Sequence, residues 1–140
     1  MQSKNIALLL DRDGVINHDH GYVHKSENFH FIDGIFNLLR YAYQEKYMIV
    51  VITNQSGIAR GYYTEKQFNR LTDWMCQQFS ASGVPIEKVY YSPYHPTAGL
   101  GMYLKDHISR KPHPGMILQA QKELNLDLTH SVLVGDKVSD

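Results

Sequence analysis

The stretch Ile6-Ala7-Leu8-Leu9-Leu10 holds no polar side chain and stops abruptly at Asp11. A run of that kind suits a strand covered on both faces, which points to a parallel sheet flanked by helices. Met48 to Thr53 repeats the pattern and stops at Asn54, Lys88 to Tyr91 gives a third run, and Ser131 to Gly135 a fourth that ends at Asp136. The segments between them read as helices. Asp33 to Lys46 carries Ile35, Leu38, Leu39 and Ala42 at helical spacing. Thr64 to Ser82 puts Phe68, Leu71, Met75 and Phe79 on one face, with Thr64 and Gln67 as a capping box and Gly83 as the stop. Pro114 is placed to open a further helix at its first position, with Ile117, Ala120, Gln121 and Leu124 in register. Ser92 to Lys111, with two prolines, two glycines and mixed polarity, reads as one long loop, a length that usually carries function or is covered by something. The alternation predicts one α/β domain over residues 1–140. Its fold would be a three-layer, Rossmann-like parallel sheet with helices on both faces and right-handed crossovers. Ligands of such sheets bind beyond the carboxyl ends of the strands, where the strand order reverses.

Bulk properties narrow the function classes. With 140 residues and 43% apolar composition the chain holds one real core. Lys plus Arg and Asp plus Glu both number 14, so nothing favours a nucleic-acid footprint over the whole chain. The single cysteine, Cys76, allows no internal disulfide. No apolar run approaches the roughly 18 to 20 residues of a membrane span, and the N-terminus lacks a signal-peptide core. The expectation is a cytoplasmic protein with neither a membrane nor a nucleic-acid partner.

Three strand ends carry the chemistry. Asp11 and Asp13 are two apart at the end of an extended run and lean to one side of the pleat. Two carboxylates that close repel unless a cation or proton intervenes, and Mg²⁺ takes oxygen ligands of this kind. Asp136 leaves the fourth strand on the same edge as a third carboxylate. Thr53-Asn54 leads into Gln55-Ser56-Gly57, whose hydroxyl and N–H groups suit phosphate oxygens. Arg110-Lys111-Pro112 precedes the Pro114 helix and brings a lysine toward a phosphoryl oxygen. Taken singly, Asp13-Gly14 also reads as a turn, Thr53 to Gly57 as a strand exit, and Arg110-Lys111 as solvated surface.

Together these residues resemble the haloacid dehalogenase-like phosphatases. The four signatures run in family order: Asp11-Arg12-Asp13-Gly14-Val15, Thr53-Asn54, Lys111, and Gly135-Asp136-Lys137-Val138-Ser139-Asp140. The resemblance implies two-step phosphoryl transfer, with Asp11 as nucleophile and Asp13 as general acid and base. Thr53 and Lys111 would steady the phosphoryl oxygens, and Mg²⁺ would lie among Asp11, Asp13 (through its backbone carbonyl) and Asp136. Extended through Ile16-Asn17, Gly21-Tyr22-Val23, Gln55-Ser56-Gly57-Ile58 and Pro114-Gly115-Met116, the match looks like the heptose bisphosphate phosphatases. These remove the 7-phosphate of a heptose 1,7-bisphosphate on the way to ADP-heptose and the lipopolysaccharide core. That narrower resemblance implies a small sugar phosphate held by Asp19, His20, Gly21 and Tyr22, by Asn54, Gln55 and Ser56, and by Arg110 and Lys137. Arg110 would take the distal phosphate. No large cap domain is visible, and the expectation is a monomer.

Two departures qualify the resemblance. Relatives carry a structural zinc site in the long loop, through a Cys-Pro-His segment and a later Cys-x-Cys. Here the matching segments read Ser92-Pro93-Tyr94 and His107-Ile108-Ser109, so structural zinc is expected to be absent. Packing of Tyr94, Leu100, Met102, Tyr103 and Leu104 is expected to hold the loop instead. The sequence also stops at Asp140, where relatives continue with a helix and usually a strand, so the reading is of a C-terminally shortened domain. Three other readings stay open: a histidinol-phosphate phosphatase, a non-catalytic remnant that binds sugar phosphates, and a nucleic-acid-end phosphatase.

Overall fold

A computed structural model describes residues 4–135. Its centre is a four-stranded parallel sheet in the order β3-β2-β1-β4, from β1 (Ile6–Leu10), β2 (Tyr47–Asn54), β3 (Ile86–Ser92) and β4 (Val132–Val134). Helices α1 (Ile35–Gln44), α3 (Glu65–Ala81) and α4 (Gly115–Leu124) lie between strands, with a one-turn helix α2 (Ser56–Ala59) directly after β2.

Because neighbouring side chains of a strand face opposite ways, each central strand feeds two cores. Leu8, Leu10, Ile49 and Val51 point to one face and pack on Ile35 and Leu39 of α1 and on Leu71, Met75 and Phe79 of α3. Ala7, Leu9, Val50 and Ile52 point to the other and pack on Met116 and Ala120 of α4 and on Leu126. The doubly covered sheet is the reason β1 and β2 read as unbroken apolar runs. Helix α3 starts with the capping box on Thr64 and Gln67, and Gly83, at φ +80°, follows its end. Pro114 occupies the cap position before α4 and not its first turn, and the inward face of that helix carries Met116 where the periodicity gave Gln121.

The long loop is held differently from the sequence expectation. Leu100, Met102 and Leu104 are half or more exposed, so they do not form its core. Tyr103 does tie in, through its hydroxyl to Glu65 Oε2 at 2.7 Å, while Tyr91 donates to Oε1 of the same carboxylate at 2.6 Å. Backbone bonds from Lys105 to His95 and from Leu100 to Ala59 complete the hold. Polar tie points replace apolar packing because a short irregular segment has many backbone groups to satisfy and little interior to fill. The segment includes one turn of 3₁₀ helix at Gly101–Tyr103, and another such turn, Ser26–Asn28, precedes α1. No helix among the described residues is long and apolar enough to cross a membrane.

Candidate active site

From β1 the chain moves outward through β2 to β3, then crosses back to the far side of β1 as β4, so the strand order reverses beside β1. At that point a cleft of about 540 Å³ opens at the carboxyl edge of the sheet. Asp11 is its floor. Its backbone N–H donates to Val134 O at 3.1 Å, which fixes the residue against the end of β4. The chain then turns tightly on the Arg12 carbonyl, which accepts from the backbone N–H groups of Val15, Ile16 and Asn17.

That turn delivers Asp13 into the cleft and surrounds it with donors. Arg12 Nε and Nη2 reach Asp13 Oδ1 at 3.1 and 2.8 Å, and Asn17 Nδ2 reaches the same oxygen at 3.0 Å. Oδ2 accepts from Gln55 Nε2 at 3.1 Å. Arg12 itself is only 2% exposed, with its guanidinium against the rings of Phe29 and Phe68 and a further bond from Nη2 to Val23 O at 2.8 Å.

Lys111 enters from the opposite wall. Its Nζ stands 3.6 Å from Asp11 Oδ1, and both side chains are nearly buried. Asn54 sets the lysine backbone with a pair of hydrogen bonds: its Oδ1 accepts from Lys111 N–H at 3.0 Å and its Nδ2 donates to Lys111 O at 3.2 Å. Arg110, one residue earlier, lines the cleft and donates to Tyr94 O at 3.2 Å. Burial first, and Arg60 second, pull the Arg110 guanidinium below its usual value. Burial, Arg110 and Arg60 likewise push the His95 imidazole down, so three basic groups stand near one another beside the cleft.

Most of the residues expected from the sequence meet here. Asp11, Asp13, Asp19, Gly21, Tyr22, Asn54, Gln55, Ser56, Arg110 and Lys111 line the cleft. Thr53 lies one layer deeper, fully buried, with its hydroxyl accepting from Gln55 Nε2 at 2.9 Å. His20 turns outward, against the rings of His18 and His30. Asp136 and Lys137 lie outside the described residues. Gly57, read together with Gln55 and Ser56, lines the cleft too, but the sequence reading missed Tyr63, which also lines it. It missed the supporting roles of Arg12 and Arg60 as well. Their signals are tertiary: Tyr63 and Arg60 sit in the short link between α2 and α3, where no spacing rule marks them.

The four positions matched to the relatives' zinc ligands come together. Ser109 Oγ donates to Ser92 Oγ at 2.8 Å and lies 2.8 Å from His107 Nδ1, and the Tyr94 ring stacks on His107 with centroids 4.3 Å apart. A hydrogen-bonded clasp therefore occupies the place just before Arg110.

The chain is similar to known phosphatases. A family model described as polynucleotide kinase 3 phosphatase matches residues 8–140. The D-glycero-alpha-D-manno-heptose-1,7-bisphosphate 7-phosphatase of Burkholderia mallei is 56% identical over 137 residues, covering 98% of this chain and 72% of that protein. The D-glycero-beta-D-manno-heptose-1,7-bisphosphate 7-phosphatase of Haemophilus influenzae is 52% identical, covering 97% and 73%. Among solved structures, a Mesorhizobium loti protein in the HAD-like phosphatase class superposes with a TM-score of 0.92 at 38% identity, over 99% of this chain and 66% of that one. The D,D-heptose 1,7-bisphosphate phosphatase of B. bronchiseptica, complexed with magnesium and phosphate, gives 0.82 at 29% identity, over 96% and 72%. The chain thus spans about seven-tenths of the length of these relatives. It belongs to the haloacid dehalogenase-like phosphatases, in their D-glycero-D-manno-heptose-1,7-bisphosphate 7-phosphatase branch.

Proposed function

We propose that the chain removes the 7-phosphate of D-glycero-D-manno-heptose 1,7-bisphosphate, with Asp11 as the covalent nucleophile. One observation carries this reading: Asp11 and Lys111 face each other at 3.6 Å on the floor of a polar cleft that Arg110 also lines. A carboxylate beside an ammonium can receive a phosphoryl group, and a guanidinium beyond it suits a second phosphate.

In the first step an Asp11 oxygen bonds to phosphorus while the bond from phosphorus to the sugar oxygen breaks. Asp13 gives that oxygen its proton from Oδ2, since Oδ1 is taken up by Arg12 and Asn17. In the second step water attacks the aspartyl-phosphate and Asp13 takes the proton back. The Lys111 ammonium offsets phosphoryl charge throughout, and Thr53 supports the wall behind Gln55. The donor set fits a hard cation, because the carboxylates lining the cleft, Asp11, Asp13 and Asp19, offer only oxygen. Asp11, the Asp13 carbonyl and Asp136 would hold Mg²⁺, which supplies charge neutralisation for an incoming dianion. Asp19, Gly21 and Tyr22 form the substrate mouth, with Asn54, Gln55 and Ser56 along one wall. The resemblance would bring Lys137, which lies outside the described residues, close to the same pocket. The reaction serves ADP-heptose supply for the lipopolysaccharide core, in the cytoplasm, with the chain acting as a monomer.

The description of the matching family model raises a second reading, a 3′-phosphatase of nucleic-acid ends. Phosphate release in the presence of Mg²⁺ separates the two. Both anomers of the heptose bisphosphate, histidinol phosphate and a 3′-phosphorylated oligonucleotide form the panel. Faster release from the bisphosphate than from the others is expected, and Asp11→Asn is expected to abolish it with the fold intact. Preferential release from the oligonucleotide, or turnover that survives Asp11→Asn, would overturn the proposal.

A further inference from the structure

Gln55 has an amide with two unlike ends, and both are used. Nε2 donates to Asp13 Oδ2 at 3.1 Å and to Thr53 Oγ1 at 2.9 Å, while Oε1 accepts from the Tyr63 hydroxyl. Gln55 is 2% exposed and Tyr63 4%, so water does not hold this orientation. Asp13 in its ionised form is an acceptor and keeps the amide nitrogen facing it. Once Asp13 carries the proton destined for the leaving oxygen, a reversed amide becomes possible, with Oε1 taking that proton in a hydrogen bond. Tyr63 opposes the reversal. Its hydroxyl proton already occupies Oε1, and in the reversed state that buried proton would lack its acceptor. Burial also raises the Tyr63 hydroxyl well above the ordinary tyrosine value, which keeps it a donor.

The ring is fixed as firmly as the hydroxyl. Gly57 leaves room for it, since a Cβ there would stand 2.1 Å from Tyr63 Cε1. His24 stacks on the ring with centroids 5.0 Å apart and planes within 9°, and Ile58 and Phe68 pack beside it.

We propose that Tyr63 is a positioning residue for the reaction: by holding the Gln55 amide in one orientation, it keeps Asp13 Oδ2 directed at the leaving oxygen. This rests on the phosphatase reading of the cleft. The test uses the full chain with Mg²⁺ and heptose bisphosphate. Tyr63→Phe keeps the ring and removes only the hydroxyl; kcat is expected to fall about 10-fold or more, as for other orienting partners, with KM within about twofold. In a Gln55→Ala background the same change is expected to cost less than about twofold, because Tyr63 acts through Gln55. A wild-type kcat in Tyr63→Phe would overturn the inference, as would a full drop that persists without Gln55. Where Tyr63→Phe fails to fold, Gln55→Met is the second variant, and a wild-type kcat there is equally fatal. A parent chain that releases no phosphate would remove the phosphatase reading and this inference together. An active parent with an indifferent Tyr63→Phe removes the inference alone.

Discussion

Asp13 and its neighbours show how a mostly buried carboxylate is given one usable oxygen. Three donors from Arg12 and Asn17 converge on Oδ1, and the Arg12 guanidinium that supplies two of them is sealed between Phe29 and Phe68. Lysine has a single ammonium on a flexible stem and cannot reach Asp13 and the Val23 carbonyl in the same fork. Arg12→Lys is therefore expected to destabilise the fold by about 2 kcal/mol, the cost of charged hydrogen bonds lost in a buried place, read from urea unfolding. Gly57 is the second sensitive residue. Its missing Cβ would meet an aromatic ring held by His24, Ile58 and Phe68, not the loose end of a flexible chain. Gly57→Ala is expected to cost about 1–3 kcal/mol, as overpacking does, and to lower kcat together with stability. Asp11, Asp13 and Lys111 were legible in the sequence because their types and order are chemical. Arg12 and Tyr63 were not legible in these roles, because what they do depends on which rings and amides the fold brings beside them.

At the scale of elements, the cleft is assembled from strand ends and from one loop that must be tied back to them. The strands were readable, since β1 and β2 are buried on both faces and so cannot tolerate polar residues. The capping box of α3 was readable for a similar reason: it is local in sequence. The loop's ties were not, because Glu65, Ser92 and Asn54 are single polar residues whose partners lie far along the chain. Two of those ties serve different residues of the site. Asn54 holds the backbone of Lys111, whereas the Ser92, Ser109 and His107 clasp lies just before Arg110. The two are expected to separate in kinetics. Asn54→Ala should lower kcat by about 10-fold, because it frees the ammonium that meets the reacting phosphoryl group. Ser109→Ala should mainly raise KM, by several-fold, because it frees the distal anchor. Steady-state rates with the bisphosphate check both, and the reverse pattern would show that the loop moves as one rigid piece.

For the molecule as a whole, a balanced charge conceals a strong local separation. Lys plus Arg equal Asp plus Glu over the sequence, yet the cleft gathers Asp11 and Asp13 with the cations Arg110 and Lys111. Arg60 stands beside Arg110 without lining the cleft itself. It caps the carboxyl end of α2, its guanidinium lies 5.7 Å over the Tyr22 ring, and it acts electrostatically on Arg110 and His95. Among the described residues its Nε is buried without a hydrogen-bond partner, and no carboxylate lies within ion-pair distance of it. Two guanidiniums near each other repel, Asp106 offsets that at Arg110 by less than Arg60 imposes, and a doubly charged anion between the two reverses the sign of that energy. A substrate with phosphates at both ends can reach floor and mouth together, and a monophosphate cannot. Arg60→Ala is therefore expected to raise KM for the heptose bisphosphate about 10-fold, the size of one lost charged contact, with kcat nearly unchanged. KM for histidinol phosphate should hardly move. Raising ionic strength should shrink the difference between parent and variant, since Arg60 is only partly buried. Equal effects on both substrates would mean that Arg60 shapes the mouth through Tyr22 and takes no part in choosing the bisphosphate.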